Sequence, residues 1–213
     1  VKYTPIHVYF SVLDWLFPER VGKKYKANRA VPLGGEYVFD VDSNNVWVPH
    51  SHVKNGICHE CLMNGKELTI HICEAIEENY SKIQIVFSGR RGFHIHVLDF
   101  NIRDWTYYDE RNPIKSHEVA RFKYSKYLAS DRYGFNQAHF KVATDPMRIV
   151  SVPYSLNAEG GLICLPVGKR KALERIKIWR LVEESNPYRY ITKISTALEL
   201  FQAHPEPYDP HPQ

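Results

Sequence analysis

Phe87-Ser-Gly-Arg-Arg-Gly-Phe-His-Ile-His-Val97 is the stretch on which the reading of the fold turns. It reads as two short strands, Ile83 to Phe87 and Phe93 to Leu98, joined by a pair of arginines with a glycine on each side. Alternation along the second strand puts Phe93, Ile95 and Val97 on one face and His94 with His96 on the other. Two imidazoles thus point the same way beside a turn that carries two fixed positive charges and the Ser88 hydroxyl. Gly89 and Gly92 permit a sharp turn and a close approach of the backbone to a ligand. Ser88, Arg90 and Arg91 supply donors suited to phosphate oxygens. The same residues also fit an ordinary hairpin with a basic tip, so a second element has to decide.

Glu36-Tyr-Val-Phe-Asp-Val-Asp42, preceded by Gly34-Gly35, is that element. In a strand, Tyr37, Phe39 and Val41 face the core, and Glu36, Val38, Asp40 and Asp42 face away. Neighbouring carboxylates repel each other unless a cation lies between them. Hard oxygen ligands at this spacing suit magnesium or manganese, which keep water and take substrate phosphates as further ligands. An Asp-x-Asp pair alone is often a turn entry. Beside a phosphate cradle it points to metal-assisted transfer of a nucleotidyl group.

These two stretches, with Ala143-Thr-Asp-Pro-Met-Arg-Ile-Val-Ser-Val-Pro-Tyr-Ser-Leu-Asn157 and Gly161-Leu-Ile-Cys-Leu-Pro166, resemble the archaeo-eukaryotic primase superfamily. The likeness is closest to the small catalytic subunit of archaeal and eukaryotic DNA primases, and the motifs come in that family's order. It implies an α/β (α+β) fold of mixed sheets, with an RRM-like catalytic core, flanking helices and a small zinc knuckle. By resemblance Asp145 is a third catalytic carboxylate, delivered from another strand to the metals of Asp40 and Asp42. The triplet Ser155-Leu-Asn157 matches one in which the family has a histidine that helps hold the triphosphate, so Asn157 departs from the pattern. Ser151 departs as well, since replicative enzymes usually carry Lys or Arg there. Both changes remove positive charge from the nucleotide pocket, and Arg148 is the candidate to compensate.

Composition permits this reading without demanding it. The chain has 213 residues, 28 basic against 24 acidic, and a net charge of +4, enough for a local basic channel. Residues 1–203 are read as one catalytic domain and 204–213 as a disordered tail. Four cysteines, two in a metal-like spacing, argue for a reducing compartment over a disulfide framework. No apolar run reaches the roughly 18 residues that span a bilayer, and no signal peptide is visible, so a cytoplasmic protein with no membrane partner is expected, nucleoid-associated if the source is prokaryotic.

Between the aspartate strand and the arginine turn lie His50, His52 and Cys58-His59-Glu60-Cys61. A Cys-x-x-Cys pair with a His-x-His upstream is close to a complete tetrahedral site, so Cys58, Cys61, His52 and His50 are expected to hold a structural Zn2+, with His59 competing for the fourth position. The resemblance implies a knuckle at this place.

The remaining periodicities are scaffold. Thr4-Pro5 followed by Ile6, Phe10, Leu13 and Phe17 predicts a helix ended by Pro18. Glu19 to Gly35 reads as a basic loop suited to a solvated surface or a nucleic-acid backbone contact. Lys66 to Tyr80 predicts a helix with Cys73 buried beside its apolar stripe. Asp99 to Pro113, with Trp105, Tyr107 and Tyr108, reads as a connection, and Ser116 as the cap of a helix carrying Ala120, Tyr124, Tyr127 and Leu128. A strand over Gly160 to Val167, a basic helix over Lys169 to Glu184 and a last helix over Ile191 to Gln202 complete the expectation.

The function implied is a template-dependent nucleotidyltransferase that polymerises NTP or dNTP on a DNA template or primer strand with Mg2+ or Mn2+. Ser88, Arg90, Arg91 and His94 hold phosphates, aided by Arg148, Ser155 and Asn157, and His96 orients a neighbour. A large primase subunit or a ligase or other end-joining partner fits the family. Two alternatives stand beside it: a gap-filling polymerase domain of the end-joining type, and a catalytically silent nucleic-acid-binding zinc module.

Overall fold

A computed structural model describes residues 7–21, 30–42, 57–130, 133, 135 and 143–188. In chain order its strands are β1 (Tyr9–Ser11), β2 (Leu13–Trp15), β3 (Pro32–Gly35), β4 (Tyr37–Asp42), β5 (Ile83–Phe87), β6 (Gly92–Val97), β7 (Ile149–Ser151) and β8 (Leu165–Gly168). The helices are α1 (His59–Glu77), α2 (Pro113–Leu128), α3 (Arg170–Arg175) and α4 (Ile178–Glu184). This is an α+β arrangement whose largest sheet runs β4-β6-β5-β8, antiparallel throughout.

The expected hairpin is β5 and β6, in register from Ile83↔Val97 to Phe87↔Phe93. β4 pairs with the other edge of β6, setting Asp40 opposite His94 and Asp42 opposite Gly92. Gly92 is needed there for its neighbour's sake, because a Cβ would stand 1.9 Å from the Val41 carbonyl oxygen. Gly89 has φ +78°, the left-handed conformation that glycine adopts at no steric cost.

One face of this sheet carries the core, as alternation demands. Tyr37, Phe39, Val41, Ile85, Phe87, Phe93, Ile95 and Val97 pack with Leu62, Ile72 and Ile76 of α1 and Ala120, Tyr124 and Leu128 of α2. Tyr37 lies 4.6 Å from Phe39, 4.9 Å from Phe100 and 5.2 Å from Tyr124, ring to ring. Burial of each such side chain is worth about 1.5–3 kcal/mol. The opposite face receives a small ribbon of β1 and β7, in which Phe10, Val12 and Val150 pack on Val38.

Several expected elements are different. In place of a helix ending at Phe17, the chain forms β1 and β2, and Pro18 opens a turn of 3-10 helix. The alternation Val8, Phe10, Val12 outweighs the four-residue spacing, since only a strand can lay Phe10 and Val12 on Val38 while pairing with β7. Residues 32–35, assigned to the basic loop, are β3 and pair with β2. α1 begins at His59, seven residues before the expected start, with Cys58 at its N-cap and Cys61 and Leu62 buried in its first turn. Asn112 and Pro113 begin α2, so Ser116 is inside the helix, accepting from the Asp109 N–H at 2.9 Å. The basic helix is two, α3 and α4. Between them the buried Lys66 ammonium donates to the carbonyls of Glu174 (3.1 Å) and Ile176 (2.8 Å), groups that a continuous helix would use itself. Of the expected strand over 160–167 only 165–167 falls in β8, which runs one residue further to Gly168 and is preceded by a single bridge, Leu156↔Ile163.

Cys73 is fully buried, as expected, and none of the four cysteines forms a disulfide. Trp105 packs on Tyr124 and Tyr127 and donates to the Tyr80 hydroxyl at 2.6 Å, which makes it a packing residue. No helix among the described residues is long and apolar enough to cross a membrane. His50 and His52, much of the basic loop, the helix expected over 191–202 and the tail lie outside the described residues.

Candidate active site

The strand pairing of β4 with β6 builds the site. Asp40 and Asp42 project from the face opposite the core, and the hairpin turn brings Ser88, Arg90, Arg91 and His94 to the same cleft, which has a volume of about 220 Å³. His7, Tyr9, Ser151, Asn157 and Glu159 form the rest of its wall.

Asp40 is half-buried and its carboxyl is pushed up, first by burial, against the pull of the Arg148 guanidinium, and further by the negative charge of Asp42. Arg148, expected to restore positive charge to the nucleotide pocket, donates instead to Asp40 Oδ2 and is not among the residues that line the cleft. His94 is buried, and its Nε2 lies 3.7 Å from Asp40 Oδ1, beyond hydrogen-bond reach. Burial, then the charges of His96, Arg148 and His7, push the His94 pKa down to about 3. At neutral pH His94 is therefore an uncharged imidazole with one N–H to donate. His94 Nδ1 is buried and has no partner among the described residues.

The arginines of the turn already face carboxylates. Arg90 pairs with Glu159, and Arg91 Nη2 lies 3.5 Å from Asp42 Oδ2. Asn157 is a staple: its Nδ2 donates to the Ser88 carbonyl at 2.8 Å, and its Oδ1 accepts from the N–H groups of Glu159 (3.0 Å) and Gly160 (2.9 Å). Ser155 does not line the cleft and donates to the Val8 carbonyl at 3.4 Å. His96 sits on the same face as His94, with Nδ1 3.0 Å from Glu36 Oε2, and Arg121 of α2 donates to the Glu36 carbonyl at 2.6 Å.

Asp145 is where the structure departs from the expected triad. It is exposed, in the turn that precedes β7, and its Oδ1 accepts from the Met147 N–H at 2.8 Å. The carboxylate is thus engaged by its own turn, as an aspartate before proline commonly is. Among the described residues no three His, Cys, Asp or Glu side chains are grouped to hold a metal ion. Asp40 and Asp42 remain as neighbouring carboxylates in one cleft. At the proposed zinc knuckle, Cys58 Sγ accepts from the Cys61 N–H at 3.5 Å, and His59 is exposed.

The sequence reading missed His7, Tyr9 and Glu159. His7 and Tyr9 were hidden by the helical reading of their segment, whereas its alternation would have placed both on one side of a strand.

The chain is 31% identical over 144 residues to an uncharacterized DNA primase small subunit-like protein of Archaeoglobus fulgidus, covering 63% of this chain and 45% of that one. It is 28% identical over 217 residues to the DNA primase small subunit PriS of Pyrobaculum calidifontis, covering 89% of this chain and 68% of the relative. The chain thus spans less than half of the first relative's length and about two thirds of the second's. A solved polymerase domain of Mycobacterium tuberculosis Ligase D, in complex with DNA, superposes with a TM-score of 0.43 and 12% identity, covering 85% of this chain and 61% of that domain. No family model matches the chain.

Proposed function

The chain belongs to the archaeo-eukaryotic primase superfamily, and from that premise we propose that it is a template-dependent nucleotidyltransferase that joins NTPs or dNTPs on DNA. The observation that carries this reading is the cleft in which Asp40 and Asp42 face Ser88, Arg90, Arg91 and His94. Carboxylates on one wall and phosphate donors on the other suit a nucleoside triphosphate bound with a divalent cation.

The donor set fits Mg2+ or Mn2+ at Asp40 and Asp42: two like charges, one of them destabilised by burial, gain from a cation between them. Asp145 belongs to this reading as a third ligand only if its turn rearranges. When bound, such an ion activates the attacking hydroxyl and neutralises the leaving phosphates. The chain's own residues do the rest. Arg148 holds Asp40 in place. Ser88 and the neutral His94 donate to phosphate oxygens, and the backbone of the turn is fixed by Asn157. Arg90 and Arg91 exchange Glu159 and Asp42 for phosphate. The antiparallel sheet with its helices on one face is consistent with an RRM-like core. A structural Zn2+ at Cys58, Cys61, His52 and His50 belongs to the same reading, supported by two thiols at one helix N-terminus.

Extension or gap filling of existing ends is the second reading, favoured by Asn157, which is neutral and turned to the Ser88 carbonyl. A gel assay with labelled ribo- or deoxynucleotides on primed and unprimed DNA, with magnesium or manganese, separates these. Asp40→Asn and Asp42→Asn should each lower incorporation at least about a hundredfold, since metal-borne charge stabilisation is worth several kcal/mol and each 1.4 kcal/mol is about tenfold. Near wild-type incorporation by either variant would remove the metal site from the mechanism.

A further inference from the structure

The ribbon of β1 and β7 packs on Val38, the residue between Glu36 and Asp40 on the polar face of the large sheet. Beyond it from the cleft lies a groove of about 1030 Å³, and among the described residues the two share no lining side chain. Glu36 before β4, His96 of β6 and His117 of α2 all line the groove. His96 and His117 are only 4% and 3% exposed. Glu36 Oε2 lies 3.0 Å from His96 Nδ1, whereas Glu36 Oε1, His96 Nε2 and His117 Nδ1 are buried without hydrogen-bond partners among the described residues. Buried polar atoms are nearly always satisfied, so three unpartnered ones from three separate elements at one groove call for a ligand.

Charge narrows what that ligand can be. Among the described residues the fixed charges that line the groove are Asp14, Glu36 and Asp99 against Arg103 alone. Asp99 Oδ2 accepts from the N–H groups of Ser81 (3.0 Å) and Lys82 (3.1 Å), and its Oδ1 has no partner among the described residues. His117 adds no positive charge at neutral pH, because burial pushes it down to about 4. Such a surface repels phosphate, in contrast to the arginine turn. Ionised carboxylates only accept hydrogen bonds, so the ligand has to bring the N–H donors. Phe10, Phe100 and Tyr108 line the same groove, and aromatic faces attract organic cations. Carboxylates beside aromatic rings suit an ammonium group. A bare metal ion is a poorer fit, since no three ligating side chains are grouped for one among the described residues.

We propose that this groove is a second binding site, for an organic polycation of the polyamine class, with ammonium groups on Glu36 and on the more exposed carboxylates Asp14 and Asp99 and its methylene chain against Phe10 and Tyr108. The proposal stands apart from the nucleotidyltransferase reading, because no residue of the cleft takes part in it.

The test is calorimetric titration of the whole chain at low salt with spermidine, with an uncharged diol of the same length and with a short lysine peptide, for wild type, Glu36→Gln, Asp14→Asn and Asp40→Asn. Wild type should bind spermidine and not the diol. Glu36→Gln, which keeps an oxygen for His96, should weaken spermidine about tenfold, the usual value of a hydrogen bond to a charged group. Asp14→Asn should weaken it about threefold, as befits an exposed pair. If Glu36→Gln fails to fold, Asp14→Asn carries the test. Asp40→Asn should bind spermidine as wild type does, and a loss there with none in Glu36→Gln would put the polyamine in the cleft and overturn the proposal. Equal binding by wild type, Glu36→Gln and Asp14→Asn also overturns it, since attraction to the acidic surface at large would then suffice. Binding of the lysine peptide without spermidine would make the groove a protein-docking site and overturn the assignment to a small polycation. Neither triphosphate binding nor nucleotide incorporation enters these outcomes, so the proposed activity can fail without this inference, and this inference without it.

Discussion

β4 presents two faces made by the same six residues, and they obey different rules. Tyr37, Phe39 and Val41 are each no more than 3% exposed and pack into a continuous apolar cluster beneath α1 and α2. On the other side Asp40 and Asp42 remain half-buried in a cleft, and Val38 alone is covered by the β1 and β7 ribbon. Along that second face Glu36 Oε1, His94 Nδ1 and His96 Nε2 are buried without hydrogen-bond partners among the described residues. Each such atom costs about 1–3 kcal/mol when nothing satisfies it. One face holds the fold together, and the other keeps polar atoms available for a ligand to complete.

The sharpest way to break this comparison is to exchange the consequences of mutation between the faces. Phe39→Ala should cost about 3–5 kcal/mol of stability, as expected for removal of a buried ring from a packed core. Urea unfolding measures this. Asp40→Asn, on the neighbouring position of the same strand, should leave the unfolding midpoint within a small fraction of that shift, because burial already opposes its charge. A large loss of stability from Asp40→Asn would show that the cleft face carries the fold as well.

Next in size is the staple at the boundary between the faces. Asn157→Ala removes one donor to the Ser88 carbonyl and one acceptor for the Glu159 and Gly160 N–H groups. A loss of about 1–3 kcal/mol is expected from these bonds, two of them half-buried and one exposed. Nucleotide affinity should fall with it, since the turn that carries Arg90 and Arg91 loses its anchor. Unchanged stability would mean that strand pairing alone fixes the turn.

The two faces also differ in how much of them the sequence revealed. Alternation alone assigned 37–42 of β4 and 93–97 of β6 to their faces, because successive side chains of a strand point to opposite sides. The cleft was legible in part. The arginine turn and the Asp-x-Asp pair are local in sequence, and strand pairing brings them together as read. Long-range partners were not legible. Nothing local distinguishes an Asn157 that binds phosphate from one that ties down the Ser88 carbonyl 69 positions away. The four-residue spacing of Phe10, Leu13 and Phe17 imitated a helix, and that concealed His7 and Tyr9. Asp145 was assigned by resemblance, without regard to its own N–H neighbours, and the turn it forms with Met147 is what a bare Asp-Pro predicts.

The last effect depends on pH and is expected where the polar face ends, at α2. A larger groove runs along that face from Phe10 past Glu36 and His96 to His117, which is 3% exposed. Burial, with the Arg121 charge one turn further along α2, pushes His117 down to about 4, and its Nδ1 has no partner among the described residues. The unfolded chain takes up a proton on this group near 6.5, a typical histidine value. Between about 6.5 and 4 the unfolded state therefore holds more protons than the native one, so stability rises with pH across that window and is lost as pH falls through it. A single histidine contributes up to about 1.4 kcal/mol per pH unit. His94, pushed down to about 3, adds a slope of the same sign. Urea unfolding at several pH values between 7.5 and 4.5, for wild type and His117→Gln, isolates one contribution by difference. The variant should lose less stability than wild type as pH is lowered, with the gap opening below about 6.5. A gap that is constant in pH would mean that His117 titrates alike in both states and that its end of the groove is open to water.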